Sequence, residues 1–201
     1  MFTTIQPLIL ASGSPRRREL LAGLGIDFTV TVPEVDELLL EHEDNRDYVK
    51  RLARLKGEVI GLNHTSSWVV AADTVVIVDG LLLTKPDTEE EALVMLMQLA
   101  GRKHQVRTGY CLYHSERLFC AVDSVVSTVR FKSFGLDWAK SYVQTGEPMD
   151  KAGGYGIQDR GGVLVEAVEG SYSNVVGLPL AEVVELLCSQ QVVTPATVRS
   201  S

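Results

Sequence analysis

Leu10-Ala11-Ser12-Gly13-Ser14-Pro15-Arg16-Arg17 decides how the chain begins to fold. The apolar run Leu8–Ala11 ends in Ser-Gly-Ser-Pro, and Leu20, Leu21 and Leu24 follow at helical spacing. This reads as strand, tight turn and helix, with Pro15 at the first helical position and Gly25 as the stop. Outward from it, Phe28–Val32 reads as a second strand leading into the acidic loop Glu34-Val-Asp36-Glu37. Tyr48, Leu52, Leu55 and Val59 recur every three or four residues, which predicts an amphipathic helix of about 15 residues.

Trp68–Ala72 is a continuous apolar run entering Asp73-Thr74; Val75–Val78 continues it, and Asp79-Gly80 signals a hairpin. Asp87 with Glu90 forms a capping box for a helix over Glu89–Leu99. His104–His114 and Leu118–Phe131 alternate as a long antiparallel pair, and Leu136–Val143 reads as a short helix. A glycine-rich stretch, Ala152–Gln158, then precedes a strand at Val163–Val168 and a closing helix from Leu180 to Cys188. The last dozen residues are polar and read as frayed. Strands mixed with helices, and antiparallel pairing in the middle, indicate an α/β or α+β fold on a mixed, extended sheet.

At 201 residues the chain fits one large domain or two lobes. A formal net charge of −7 argues against a non-specific nucleic-acid binder, which carries a basic excess. It leaves room for a nucleotide enzyme, since one small anion needs only a local cluster of donors and a metal. No stretch approaches the roughly 18 apolar residues of a membrane span, and the first residues lack the basic region of a signal peptide. Cys111, Cys120 and Cys188 make an odd count without C-x-x-C spacing, so reduced thiols and a soluble, cytoplasmic protein are expected. His42, His64, His104 and His114 show no ligand spacing for zinc.

Several residues could carry chemistry. A strand running into a helix N-terminus presents unpaired N–H groups and the positive end of the helix dipole. There Gly13 permits close approach, Ser12 and Ser14 add hydroxyls, and Arg16 and Arg17 can fork onto phosphate oxygens. An ordinary capped helix with a solvated basic face would show the same pattern. Asp73, at the end of an apolar strand, is costly to bury unless paired with a metal, a cation or donors. Capping the next turn is the alternative. Lys85-Pro86 and Lys56 read as phosphate clamps or as solvated lysines, and Glu34, Asp36 and Glu37 as Mg²⁺ ligands or a solvated loop. Asp150–Gln158 could wrap a ligand or merely connect. With no nucleophile elbow, cysteine–histidine signature or dinucleotide fingerprint, this kit fits phosphoanhydride hydrolysis by a metal-assisted water.

At these residues the chain resembles the Maf family, the septum-formation-inhibitor-like nucleotide pyrophosphatases. The resemblance runs through Leu10–Arg17, Ala72-Asp-Thr74, Lys85-Pro86, His104-Gln-Val-Arg-Thr108, Asp150–Gln158 and Gly170–Pro179. It implies an elongated mixed β-sheet flanked by helices, with two lobes around a cleft, similar to inosine triphosphate pyrophosphatases. One catalytic domain over residues 1–190 and a tail over 191–201 are expected. The resemblance further implies cleavage of a nucleoside triphosphate to monophosphate and pyrophosphate with Mg²⁺ or Mn²⁺, and a homodimer.

By the same resemblance Asp73 is the proton acceptor, Ser12, Arg17, Lys56 and Lys85 bind phosphates, and Glu34 joins Asp73 in holding metal, with Glu37 as its competitor. Arg16, Thr74 and Gln158 resemble the branch acting on dTTP and UTP. Uracil and thymine present an N3–H between two carbonyls; a carboxamide such as Gln158 can accept from N3–H while donating to one carbonyl, and Arg16 can donate to the other. Modified pyrimidine triphosphates are a further substrate class. The alternative implied by the family's link to cell-division arrest is a nucleotide-binding regulator of septum formation with incidental hydrolysis.

Overall fold

A computed structural model of the chain describes residues 1–196. Nine strands run through it: β1 (Phe2–Thr4), β2 (Leu8–Ala11), β3 (Thr29–Thr31), β4 (Trp68–Val78), β5 (Leu81–Leu83), β6 (Lys103–His114), β7 (Phe119–Phe131), β8 (Val165–Glu169) and β9 (Val193–Pro195). Six helices intervene: α1 (Pro15–Ala22), α2 (Asn45–Asn63), α3 (Glu89–Leu99), α4 (Leu136–Val143), α5 (Tyr172–Val176) and α6 (Leu180–Ser189). The fold is mixed α/β: a seven-stranded sheet of order β3-β2-β4-β6-β7-β8, with β5 paired to β4, and a separate β1–β9 ribbon. Among the described residues no helix is long and apolar enough to cross a membrane.

Two compact units emerge from the packing. The first takes Met1–Asp73, Gly109–Ser124 and the chain from Gly177 onward; the second takes Thr74–Thr108 and Val125–Val176.

In the first unit β2 pairs in parallel with both β3 and β4, with Leu8–Ala11 facing Trp68–Ala71 in register. Parallel strands covered on both faces carry continuous rather than alternating apolar residues, which explains the Leu8–Ala11 and Trp68–Ala72 runs. Leu8, Leu10, Trp68, Val70 and Ala72 point to one face, packed by Leu21 of α1 and by Val183 and Leu187 of α6. Ile9, Ala11, Val69 and Ala71 point to the other, under Ala53 and Ile60 of α2. The approach of α2 to β6 is close enough to require glycine: a Cβ on Gly109 would lie 2.2 Å from the Val49 carbonyl oxygen. Helix α2 spans 19 residues, longer than its apolar spacing predicts, because Asp44 caps it by accepting from Arg46 and Asp47 N–H.

Several boundaries differ from expectation; the strand expected at Val163–Val168 is β8, Val165–Glu169, preceded by a 3-10 turn over Arg160–Leu164. Helix α1 ends at Ala22 with Gly23 as its cap, and Gly25 follows with φ of 76°. The cap of α3 is Thr88, whose hydroxyl accepts from Glu91 N–H while Glu91 returns a carboxylate to Asp87 N–H. The box is thus displaced by one residue from the Asp87–Glu90 reading. The end of the chain is not frayed as far as it is described: Val193–Pro195 form β9, antiparallel to β1, and Val192 and Val193 are buried. Residues 197–201 of the expected tail lie outside the described residues.

The second unit gathers Val76, Val78 and Leu83 around the β4–β5 hairpin, with Ala92, Met95, Leu96 and Leu99 from α3 and Ala139, Tyr142 and Val143 from α4. His104 is buried among them, edge-on to Phe131, with Nε2 2.7 Å from the Tyr155 hydroxyl. Its Nδ1 has no hydrogen-bond partner. Burial lowers the His104 pKa from 6.5 to about 4. The folded protein therefore holds this ring neutral, while the unfolded chain takes up a proton below pH 6.5. Stability is expected to fall as pH drops from 6.5 toward 4, by on the order of 3 kcal/mol from this group. Urea denaturation across that range should show a smaller decline for His104→Phe than for the unaltered protein; equal slopes would contradict the assignment.

Candidate active site

The turn after β2 is built as its sequence suggests. Ser14 is the N-cap of α1 and Pro15 opens the helix. Ser12 is buried, and its hydroxyl oxygen accepts from Ser14 N–H at 3.2 Å and from Arg17 Nη1 at 3.2 Å. Both bonds use the oxygen, so the Ser12 O–H remains the donor it can offer. Arg17 reaches further: Nε donates to the Gly177 carbonyl at 2.7 Å and Nη1 to the Ala72 carbonyl at 2.8 Å. The guanidinium thus ties α1 to the residue before Asp73 and to the segment entering α6. Burial lowers its pKa, and the charge of Asp73 acts in the opposite direction. Arg16, one residue earlier, is half-buried.

Asp73 does not end its strand, as the sequence suggests, but sits within β4, because Val75–Val78 continue the apolar run. It is 7% exposed, a burial a carboxylate tolerates only with a partner. The partner is Lys56 of α2, whose Nζ donates to Asp73 Oδ1 at 2.6 Å. The same Nζ lies 2.6 Å from Glu37 Oε1. Lys56, itself 8% exposed, therefore bridges two carboxylates, which offsets the desolvation of Lys56 and Asp73, while Glu37 is exposed.

Glu37 is held there from α2. The Tyr48 hydroxyl donates to the Glu37 carbonyl at 2.8 Å, and Arg51 Nη2 donates to the Leu38 carbonyl at 2.9 Å. Arg51 also pairs with Glu43 at 2.6 Å. Burial first, then the charges of Asp73 and Glu37, push the Tyr48 pKa up to about 12, so it stays a donor. Glu34 is exposed and lies outside this network, three residues upstream. The family resemblance left the two glutamates as competitors; of the two, Glu37 contacts Lys56, and Tyr48 and Arg51, one turn apart on the face of α2 beneath the loop, hold it there.

Thr74, Lys85 and Gln158 belong to the second unit. The Thr108 hydroxyl donates to the Asn174 carbonyl at 3.1 Å, so Thr74, 2.9 Å from Thr108 Oγ1, is the donor of that pair. Asn174 is fully buried and donates to the Val106 carbonyl and to Ser127 Oγ, both at 3.0 Å. Lys85 is exposed beyond β5, and Gln158 is exposed in a loop whose flanks are buried. The structure thus joins Ser12 with Arg17, and Lys56 with Asp73 and Glu37, and it leaves Glu34 aside.

Cys111 is buried and Cys120 exposed, and both are unbridged, as is Cys188. No group of three or more histidine, cysteine or acidic side chains among the described residues could hold a metal unaided.

A family profile described as Maf-like protein matches residues 7–190. A dTTP/UTP pyrophosphatase of Myxococcus xanthus (strain DK1622) is 50% identical over 182 residues, covering 90% of this chain and 90% of that protein. One of Desulfotalea psychrophila is 46% identical over 194 residues, 96% of this chain and 100% of its own length. One of Vibrio vulnificus (strain YJ016) is 48% identical over 181 residues, 90% and 96% of the two chains. Among solved structures, a HAM1 protein from Coxiella burnetii aligns over 92% of this chain and 100% of that one, at 17% identity and a TM-score of 0.49. The profile spans both units and every candidate site residue, and the chain belongs to the Maf-like protein family.

Proposed function

We propose that the chain is a nucleoside triphosphate pyrophosphatase acting on dTTP and UTP, which it cleaves to the monophosphate and pyrophosphate. The observation that carries this reading is the buried Asp73–Lys56 pair, extended by the exposed Glu37, beside the Ser12–Arg17 turn, in a chain nearly half identical to proteins named for that activity.

In this mechanism Asp73 takes a proton from the attacking water, the α–β anhydride bond breaks, and pyrophosphate leaves. Ser12, Arg17, Lys56 and Lys85 bind the phosphates. The Ser12 oxygen already accepts from two donors, which leaves its O–H as the group to donate to a phosphate. A Cβ on Gly13 would meet Val32 at 3.5 Å, an ordinary contact, so the fold itself does not demand glycine there.

The donor set fits one Mg²⁺ or Mn²⁺. Asp73 and Glu37 lie around a single cationic nitrogen, each 2.6 Å from it, and magnesium favours one or two carboxylates completed by phosphate oxygens and water. When bound, the metal supplies charge neutralisation at the phosphates. Glu37 and Asp73 are the ligands favoured here, in place of Glu34.

Arg16, Thr74 and Gln158 read the base, with Gln158 accepting from the pyrimidine N3–H. Purified protein with Mg²⁺ is expected to release pyrophosphate from dTTP and UTP faster than from purine triphosphates. A flat profile across nucleotides, or a preference for 7-methyl-GTP, would overturn the base assignment, and no pyrophosphate from any nucleotide would overturn the activity.

A further inference from the structure

The loop carrying Gln158 is closed by two side chains to which no function has been given above. Tyr142, in the last turn of α4, donates its hydroxyl to Glu147 Oε1 at 2.7 Å and accepts from Gly156 N–H at 3.0 Å. Glu147 Oε1 also accepts from Gly161 N–H, and Oε2 from Arg160 N–H, each at 3.1 Å. Both ends of the segment Gly156–Gly161 therefore converge on one phenol–carboxylate pair, and only Ile157, Gln158, Asp159 and Arg160 lie between them.

The ends are also closed sterically. A Cβ on Gly156 would lie 2.4 Å from Lys151 Cε, and one on Gly161 would lie 2.4 Å from the Tyr142 hydroxyl and 2.7 Å from the Gly156 carbonyl oxygen. Gly162 has the same constraint, 2.7 Å from the Ile157 carbonyl oxygen. Lys151 is buried, and its Nζ donates to the Glu147 carbonyl at 2.8 Å, fixing the backbone from which the carboxylate projects. The carboxylate side of the clamp accepts three donors, and hydrogen bonds to an ionised acceptor are roughly twice as strong as neutral ones. A loop held this tightly at its base presents its tip in one geometry, while Gln158 remains exposed.

We infer that Tyr142 and Glu147 are positioning residues for base recognition: they fix the Gly156–Gly161 loop so that the Gln158 carboxamide meets a pyrimidine edge in a single orientation. This rests on the reading of Gln158 as a base reader. The bonds of these two side chains run to Gly156, Arg160 and Gly161, at the base of the Gln158 loop, so their contribution falls on substrate choice rather than on the proton transfer.

The test compares Tyr142→Phe, Glu147→Gln, Gln158→Ala and the double variant Tyr142→Phe/Gln158→Ala, measuring KM and kcat for dTTP, UTP and dATP with melting temperature alongside. Tyr142→Phe keeps the ring in its core position and removes only the hydroxyl; Glu147→Gln keeps the shape and removes the charge. Each is expected to raise KM for dTTP and UTP about tenfold with kcat within about twofold, and to narrow the preference over dATP. In the Gln158→Ala background, Tyr142→Phe is expected to change the preference no further, since the group it positions is gone.

A loop bond that merely stabilises the fold would lower the melting temperature and leave the dTTP/dATP ratio untouched, and that result in both single variants would overturn the inference. Should Tyr142→Phe fail to fold, the ratio measured for Glu147→Gln decides alone. If Gln158→Ala itself leaves the ratio unchanged, the base-reader assignment fails and the inference falls with it. If Gln158→Ala shifts the ratio and the clamp variants do not, the assignment stands and only the clamp is wrong.

Discussion

Asp73→Asn is expected to lower the rate of pyrophosphate release by about 10²–10⁴, the usual contribution of a positioned general base. Asparagine has the same shape and keeps an oxygen that can accept from Lys56, now 2.6 Å from Asp73 Oδ1, but it cannot take a proton from water. The substitution does not strand a buried cation, because Lys56 keeps Glu37 at 2.6 Å. The variant is therefore expected to fold with near-normal stability and to bind nucleotide, so calorimetric binding and steady-state release together separate chemistry from structure. Wild-type turnover would remove Asp73 from the role of base. Loss of binding along with turnover would instead make it chiefly a ligand of the metal or of Lys56.

Arg17→Ala carries the second large effect, and it is one of stability as well as of phosphate binding. The guanidinium supplies hydrogen bonds to the carbonyls of Gly177 and Ala72 and to Ser12 Oγ. Removing it leaves those acceptors without their donor in a desolvated setting, and each such loss costs about 1–3 kcal/mol. A total near 3 kcal/mol in urea denaturation is expected, with some acceptors recovered by water. Arg17→Lys is expected to recover only part of this, since an ammonium cannot reproduce a fork spanning three partners. An Arg17→Ala protein as stable as the unaltered one, but with a raised KM, would make the side chain a substrate ligand and not a brace.

The bracing contacts of Arg17 were not legible in the sequence. Pro15, the Leu8–Ala11 run and Asp79-Gly80 announce their structures because the signals are local: a fixed φ, a doubly buried strand, a two-residue turn. The bounds of α4 follow for the same reason, with periodic apolar residues from Leu136 and the left-handed Gly146 beyond. What escaped depends on contacts between distant segments. Arg17 and Gly177 are 160 positions apart, and nothing near either one signals the bond. The contact of Glu37 with Lys56 depends on the Tyr48 hydroxyl on the Glu37 carbonyl, and the clamp on the Gln158 loop on Tyr142 and Glu147, which sequence inspection passes over as helix and turn residues. Asp73 was legible as a residue needing a partner, whereas the identity of that partner, Lys56, came only with the packing of α2 on the sheet.

The β1–β9 ribbon bears on how the molecule is made. Phe2 faces Pro195, and Val192 and Val193 complete the apolar cluster begun by Leu8 and Leu10. Pairing across so long an intervening chain forms late, since closing it costs the most entropy. During synthesis the first strands emerge before the α6–β9 segment that packs on them, so one face of β2 stays uncovered until that segment follows. In that interval a chaperone would find an exposed apolar surface to hold.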